Sequence, residues 1–263
     1  MAVTASDIMV YGSTVMPTGD DVNPGGPINT AVKMTFTDIS QTTGLVMGSN
    51  GISDASQVTV TGRNAGGSIV TDKFTIFNTL KADNTGISNT QFERILRAVV
   101  TSGSHTGTIT IAEDNFPTFT TLATMEVGVD NIFRPFYGVS SSASNAKDYF
   151  EKIFIKNNNG VNALLSASVV ESGEVGFSDK IFFDLSSTGN DDGYSSNNRL
   201  GPPPASQLLN SNTGIPNDTA KNVVGGDLMA GSGQGIWMRL SLGAGAVADK
   251  GSVVFQIDGS TTA

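Results

Sequence analysis

The sequence predicts an all-β protein with two antiparallel β-sandwich domains, and three observations favour this fold class. Gly, Ser, Thr and Asn make up about two-fifths of the 263 residues, whereas helical proteins are rich in Glu, Lys, Ala and Leu. Val, Ile and Phe recur in short runs in which they alternate with polar residues, which is the period of a half-buried strand. Gly, Asn and Asp bound these runs, as is typical of the turns between strands.

The alternating runs predict individual strands along the chain. Taken in order, they cover residues 57–61, 73–76, 108–111, 152–156, 180–185, 236–242 and 253–257. Between the first two runs, Arg63–Gly67 reads RNAGG. Asn and Gly tolerate the positive φ angles that tight turns between antiparallel strands require. We therefore expect a hairpin there.

The segment 92–101 is compatible with two structures. Phe92, Ile95, Leu96 and Val99 have helical spacing, whereas a strand places Phe92, Arg94, Leu96, Ala98 and Val100 on one face. We favour the strand, because β-branched residues end the segment and a Gly-rich turn follows it. The helix remains the alternative.

A shift in composition predicts the domain boundary. Thr is frequent as far as Thr124 and then absent until Thr188, so we predict domains over 1–125 and 126–263. Within the second domain, residues 186–226 have no strand pattern and contain three consecutive prolines, Pro202, Pro203 and Pro204. Long loops in compact domains are usually functional or disordered. We expect a partner surface to order this one.

Composition excludes several function classes. The chain has no Cys and a single His, which excludes disulfides, thiolate chemistry and multi-histidine zinc sites. Its 24 acidic and 15 basic residues give a net charge of −9, which argues against nucleic-acid binding. The opening residues do not resemble a secretory signal, and no run approaches the ~20 apolar residues of a membrane helix. We expect no membrane association, cofactor or metal.

Candidate catalytic and metal-binding residues have weak support. His105 lies in a predicted turn, where we expect it to be exposed, and no serine has the context of a nucleophile elbow. Residues 190–193 read NDDG, but the surrounding spacing does not match an EF-hand; an irregular calcium site stays open as an alternative. The sequence gives no reason to expect any two glutamates to lie together as the two catalytic carboxylates of a glycosidase. We expect a protein that is not an enzyme.

Trp237 is the only tryptophan, and it shares a predicted strand face with Arg239. That face either packs under a second layer or contacts a partner, and Trp and Arg are both enriched at interface hot spots. The prolines and flanking side chains of the long loop are the other candidates for contact. The predicted interface comprises Tyr194, Arg199, Pro202, Pro203, Pro204, Leu208, Leu209, Trp237 and Arg239.

Two stretches resemble tailed-bacteriophage virion proteins. Residues 58–71 read VTVTGRNAGGSIVT and precede the strands at 92–95 and 107–111; residues 233–242 read GQGIWMRLSL and precede Ala244–Ala246. The first stretch resembles the immunoglobulin-like β-sandwich modules of head-decoration and other minor structural proteins, and the second is similar to C-terminal segments of phage structural proteins of the same group. The resemblance implies immunoglobulin-like or jelly-roll-like sandwich domains and covers about a quarter of the chain.

The same resemblance implies a capsid decoration or cement protein that binds the outer capsid surface and stabilises the head. Its partners would be the major capsid protein and copies of itself, with a trimer suggested by the threefold sites of capsid lattices. The acidic balance suits the outside of a particle better than a genome-lining position. The alternative function is a tail- or fibre-associated protein that attaches to host-surface carbohydrate.

Overall fold

The structure is a computed structural model that describes residues 2–51, 57–76, 90–115, 118–175, 180–189, 193–196, 198–209, 219–246 and 251–261. No α-helix occurs among these residues, so the predicted all-β class is confirmed. The strands are β1 (Ile8–Val15), β2 (Gly25–Lys33), β3 (Leu45–Ser49), β4 (Gln57–Arg63), β5 (Ile69–Thr75), β6 (Arg94–Ser102), β7 (Ile109–Glu113), β8 (Thr121–Met125), β9 (Asn131–Phe133), β10 (Lys147–Asn157), β11 (Leu165–Val175), β12 (Lys180–Leu185), β13 (Lys221–Asn222), β14 (Gly233–Leu242) and β15 (Ser252–Ser260). Short 3-10 turns span Ala5–Asp7 and Ala205–Gln207.

The chain divides into two compact units. Unit 1 comprises Met1–Asn29 and Gly138–Ala263, and unit 2 comprises Thr30–Tyr137. These units do not coincide with the predicted division at residue 125. The N-terminal strand β1 belongs to unit 1 because it pairs antiparallel with β10, from Ile8 opposite Asn157 to Gly12 opposite Ile153. Amino-acid composition does not indicate which distant segments of a chain pair as strands.

Unit 2 is a β-sandwich. One sheet has the order β9-β6-β4-β5, with the end of β2 parallel to β9, and the other has the order β3-β7-β8. The inward-facing apolar side chains of both sheets form one core that includes Met47, Val58, Val60, Ile95 and Ile111. Their alternation along each strand, with polar residues between them, explains why the sequence folds into two layers here.

The ambiguous segment at 92–101 is the strand β6, as favoured from sequence. It lies between β4 and β9, and a bulge shifts its register between Thr61 and Gly62 of β4. The predicted hairpin turn is also confirmed, because Arg63 pairs with Ile69 and Gly67 has a φ of +75°. The Asn64 side chain accepts hydrogen bonds from two backbone amides of the turn, each at 3.0 Å.

Unit 1 also has two sheets. The larger has the order β12-β14-β10-β1, with the start of β2 beside β1, and the smaller has the order β13-β11-β15. The two layers meet where Phe183 of β12 packs edge-on against Phe255 of β15, with ring centroids 5.0 Å apart. The predicted runs at 152–156, 180–185, 236–242 and 253–257 lie in β10, β12, β14 and β15. Alternation did not predict β1, β2, β3, β8, β9, β11 or β13.

The described parts of the long loop at 186–226 are held by unit 1 itself. The backbone amide of Gly26 donates to Tyr194 at 2.7 Å, and that of Ser196 donates to Pro24 at 3.0 Å. Farther along, the amide of Leu209 donates to the carbonyl of Leu185, the last residue of β12. These hydrogen bonds attach the described residues of the loop to unit 1, and ordering of the loop by a partner surface stays a prediction.

Candidate interaction surface

Three neighbouring strands of unit 1 bring the predicted contact residues of β14 beside charged and aromatic side chains. In the register of the sheet, Trp237 lies between Asp184 of β12 and Lys152 of β10. Arg239 lies in the next row of the same face, between Phe182 and Phe150. Directly opposed residues of antiparallel strands point to the same face, so these six side chains form two adjacent rows.

Trp237 is almost fully buried, with 2 % of its surface exposed. Gly25, the first residue of β2, lies close to its ring and has a φ of +119°. A Cβ atom at Gly25 would lie 2.5 Å from the carbonyl oxygen of Tyr194 and 3.1 Å from Trp237 Cη2. Only glycine allows this close approach of the chain, and Trp237 therefore belongs to the interior of unit 1.

Lys152 is fully buried beside Trp237. Its Nζ donates to the carbonyl oxygens of Tyr194 at 3.2 Å and Gly26 at 3.3 Å. The same atom lies 4.9 Å from the ring centroid of Phe154 and 5.5 Å from that of Trp237. A buried ammonium group requires such compensation, and these contacts tie Tyr194 to the sheet.

Arg199 forms a buried ion pair with Glu151 of β10, and neither side chain is exposed. Its Nε donates to Glu151 Oε1 at 3.0 Å, and its Nη2 contacts the same oxygen. The guanidinium also lies 5.4 Å from the ring centroid of Tyr149. The backbone carbonyl of Arg199 accepts the amide of Phe150 at 2.8 Å. Arg199 thus fixes the loop to β10 from inside unit 1.

Arg239 is half-buried, and its guanidinium lies 4.2 Å from the ring centroid of Phe182. Asp148 is its nearest ion-pair partner, at 4.0 Å from Nη1, and that carboxylate also accepts the hydroxyl of Ser241 at 2.5 Å. Two buried donors of the face, Arg239 Nε and Trp237 Nε1, have no hydrogen-bond partner in the part of the chain that the structure describes. Most buried donors are satisfied, and these two are among several buried side-chain atoms of the described residues without a hydrogen-bond partner.

A pocket opens beside these two donors, and we call it the Trp237 pocket. It has an empty volume of about 250 Å³, which includes its open mouth. Its lining consists of Phe150, Phe182, Phe183, Asp184, Pro203, Leu208, Trp237, Met238 and Arg239. The walls are mostly aromatic or aliphatic, and the polar groups are one guanidinium, one indole N–H and one carboxylate.

The structure brings four of the nine sequence-predicted interface residues together. Pro203, Leu208, Trp237 and Arg239 all line the Trp237 pocket. Of the remaining five, Tyr194 is half-buried, Arg199 is buried, and the rest are exposed: Pro202, Pro204 and Leu209. Whether any of the nine contacts a partner stays a prediction.

Sequence reasoning missed the aromatic walls of the pocket. Phe182 lies in the predicted run 180–185, whereas Phe150 precedes the predicted run 152–156; alternation was the available signal. Alternation within one strand does not show how the strand is aligned with its neighbours. It therefore could not show that both phenylalanines flank Arg239, which depends on the register between β10, β14 and β12. Asp184, which is buried at the end of β12, was missed for the same reason.

His105 is buried, which corrects the expectation of an exposed turn residue. In unit 2 its Nδ1 lies 2.7 Å from the carbonyl oxygen of Gly107, and its Nε2 lies 3.0 Å from that of Val129. The Asp130 carboxylate is 3.7 Å from Nε2. The side chain thus joins two turns, and its ring nitrogens are occupied by backbone oxygens.

The described residues contain no cluster of three or more His, Asp or Glu side chains that could hold a metal ion. Asn190, Asp191 and Asp192 of the calcium-like sequence lie outside the described residues, so that alternative stays open. In unit 2, the Asp38 carboxylate contacts Arg94 at 3.2 Å and Arg134 at 2.8 Å. Burial and the neighbouring Arg94 charge lower the pKa of Arg134 to about 10.

Comparison of the chain with protein-family models, with curated proteins and with solved structures found no match in any of the three. Among the described residues, no helix has the length and apolar character needed to cross a membrane.

Proposed function

We propose that this chain is a non-enzymatic virion structural protein of a tailed bacteriophage, which binds the outer capsid surface as a decoration or cement protein. The observation that carries the proposal is the contrast between its buried reactive groups and its contact surface. His105 and the Glu151–Arg199 pair are engaged in structural contacts. The Trp237 pocket combines aromatic walls, a guanidinium and unpaired donors, a composition enriched at binding hot spots.

The resemblance of residues 58–71 and 233–242 to phage head proteins supports the capsid as the partner. In this proposal each copy contacts neighbouring subunits of the major capsid protein, and it also contacts other copies of itself. Many equivalent sites on one particle multiply a modest affinity. The acidic balance of the chain supports an outer rather than a genome-facing position.

Reconstitution on particles tests this function. Purified chain is added to capsids that lack it, and a low-resolution map locates the added density. We expect hundreds of copies on the outer surface and a higher temperature of particle disruption than for bare capsids. A chain that does not bind, or that binds without changing heat resistance, contradicts the decoration role. A handful of copies at the tail or at a vertex would instead favour the host-attachment alternative.

A further inference from the structure

We propose that the Trp237 pocket binds a backbone carbonyl oxygen of an extended, uncharged peptide segment of a partner protein. Only the partner's identity as a capsid protein rests on the proposed function. The chemistry of the occupant follows from the donors, the charge and the walls of the pocket.

The donors define what the occupant must supply. Trp237 Nε1 and Arg239 Nε are both buried N–H groups without a partner among the described residues. An unpaired buried donor is unfavourable, so an acceptor oxygen that reaches either nitrogen relieves a cost that the free protein carries. Both nitrogens are covered in the free chain, so the acceptor reaches them only when the wall of the pocket moves outward.

The charge of the pocket favours a neutral acceptor over an anion. Asp184 lines the pocket, and Asp148 lies 4.0 Å from the Arg239 guanidinium. On the other side of Trp237, Lys152 is already held by carbonyl oxygens. The two carboxylates therefore balance the charges of Arg239 and Lys152. An occupant that brought a third carboxylate would be repelled. A peptide carbonyl accepts the same hydrogen bonds without adding charge.

The walls of the pocket favour an extended peptide over a sugar. Trp237 is 2 % exposed, so it offers no open ring face for a sugar to stack on. The chain itself places Pro203 against this wall, and the next residue has polyproline-type angles, φ −52° and ψ 140°. Aromatic walls that accept extended, proline-containing backbone are an established mode of recognition.

The indole signal of Trp237 offers a direct test, because this residue is the only tryptophan. The intact ¹⁵N-labelled chain is titrated with N-acetyl-prolinamide, with sodium acetate and with methyl α-glucoside, while the indole N–H resonance is followed. We expect a saturable shift with the amide alone. Arg239→Gln should weaken that binding at least about tenfold, since it removes a charged donor. Arg63→Gln, in unit 2, is the matched control and should bind normally.

Three results would overturn the proposal: no saturable shift with the amide, a stronger response to acetate or glucoside, or unchanged amide binding by Arg239→Gln. If Arg239→Gln does not fold, Arg239→Lys keeps the charge but moves the donor, and the Met238 methyl signal serves as a second probe of the pocket. Binding to bare capsids distinguishes this inference from the proposed function. Failure of the wild type to bind bare capsids refutes the decoration role, whereas equal capsid binding by wild type and Arg239→Gln refutes only the pocket as the attachment point.

Discussion

At the scale of single residues, the most consequential contacts are buried charges that the chain neutralises internally. Glu151 and Arg199 are both fully buried and form an ion pair, and Lys152 donates to backbone carbonyls. A buried ion pair adds little net stability over a well-packed apolar pair, but removing one partner leaves an uncompensated charge. The pair therefore acts chiefly by specifying where the loop attaches.

We predict that Arg199→Met lowers the free energy of unfolding of unit 1 by about 3–5 kcal/mol, because Glu151 then remains buried without its partner. Urea unfolding followed by Trp237 fluorescence measures this change. Lys147→Met is the control, since it breaks an ion pair with Asp20 in which both side chains are about one-third exposed. Equal effects of the two substitutions would contradict the prediction.

Gly25→Ala should destabilise unit 1 and shift the emission of Trp237. The added Cβ meets the Tyr194 carbonyl at 2.5 Å, on a backbone with a φ of +119°. Gly193→Ala isolates the backbone cost, because Gly193 has a φ of +67° and open space around it; that cost is about 1–2 kcal/mol. Urea unfolding followed by Trp237 fluorescence compares the two substitutions. If Gly25→Ala loses no more free energy of unfolding than Gly193→Ala, the steric explanation is wrong.

At the scale of elements, turns and loops are tied to strands by a few directed hydrogen bonds. Residues 205–209 lie beside the end of β12, where the amide of Leu209 donates to Leu185 at 2.8 Å and the amide of Ser187 donates to Gln207 at 3.0 Å. In unit 2, His105 joins the turn before β7 to the turn before β9.

The attachment of residues 205–209 predicts slow hydrogen exchange at the amides of Leu209 and Ser187. Their hydrogen bonds to the chain make opening of this segment necessary for exchange. Exchange followed by NMR should show protection comparable to that of β12, with faster exchange in Arg199→Met because the neighbouring loop anchor is lost. Immediate exchange of both amides in the wild type would show that the segment is not held there.

His105→Ala should cost unit 2 about 1–3 kcal/mol, because the ring that contacts the buried carbonyls of Gly107 and Val129 is removed and the carbonyl that accepts its N–H loses that hydrogen bond. Trp237 lies in unit 1, so the readout is hydrogen exchange of the β6 and β7 amides. Ser104→Ala changes the exposed neighbour and serves as the control. Unchanged protection in His105→Ala would mean that the ring does not join the two turns.

At the scale of the whole molecule, charge is unevenly distributed between the two units. Unit 1 has 15 acidic and 8 basic residues in its sequence, whereas unit 2 has 9 and 7. Acidification therefore removes more negative charge from unit 1. Carboxylates that are stabilised in the folded state are the groups whose protonation lowers stability, and in unit 2 Glu126 is such a group.

Glu126 gives unit 2 a defined acid sensitivity. Burial opposes ionisation of its carboxyl, but hydrogen bonds from Lys33 and Thr124 outweigh burial and hold its pKa below the usual value of 4.5. Stability from this group is therefore present above about pH 4.5 and is lost as the pH falls through the lower folded-state pKa. Glu126→Gln should reduce the loss of unit 2 stability over this pH range, as measured by hydrogen exchange. The reduction should be less than about 1 kcal/mol, because the Lys33–Glu126 pair is solvent-screened. Asp21→Asn should leave the profile unchanged, and an unaltered profile in Glu126→Gln would contradict the assignment.

The sequence by itself determined the all-β class and most central strands, because period-two alternation is a local property of each strand. It resolved 92–101 as a strand through the β-branched residues that end it, and it predicted the 63–67 turn through Asn64 and Gly67. It also selected Trp237 and Arg239 as neighbours on one strand face. Each of these predictions depends on residues within one short segment.

Only the tertiary structure decided which segments meet. The pairing of β1 with β10, the burial of His105 and the Glu151–Arg199 contact join residues far apart in sequence, and no local pattern encodes a partner. The same holds for the Trp237 pocket, whose walls come from three strands and a loop. Strand formation follows from local alternation, whereas register, burial and charge pairing depend on the whole packed chain.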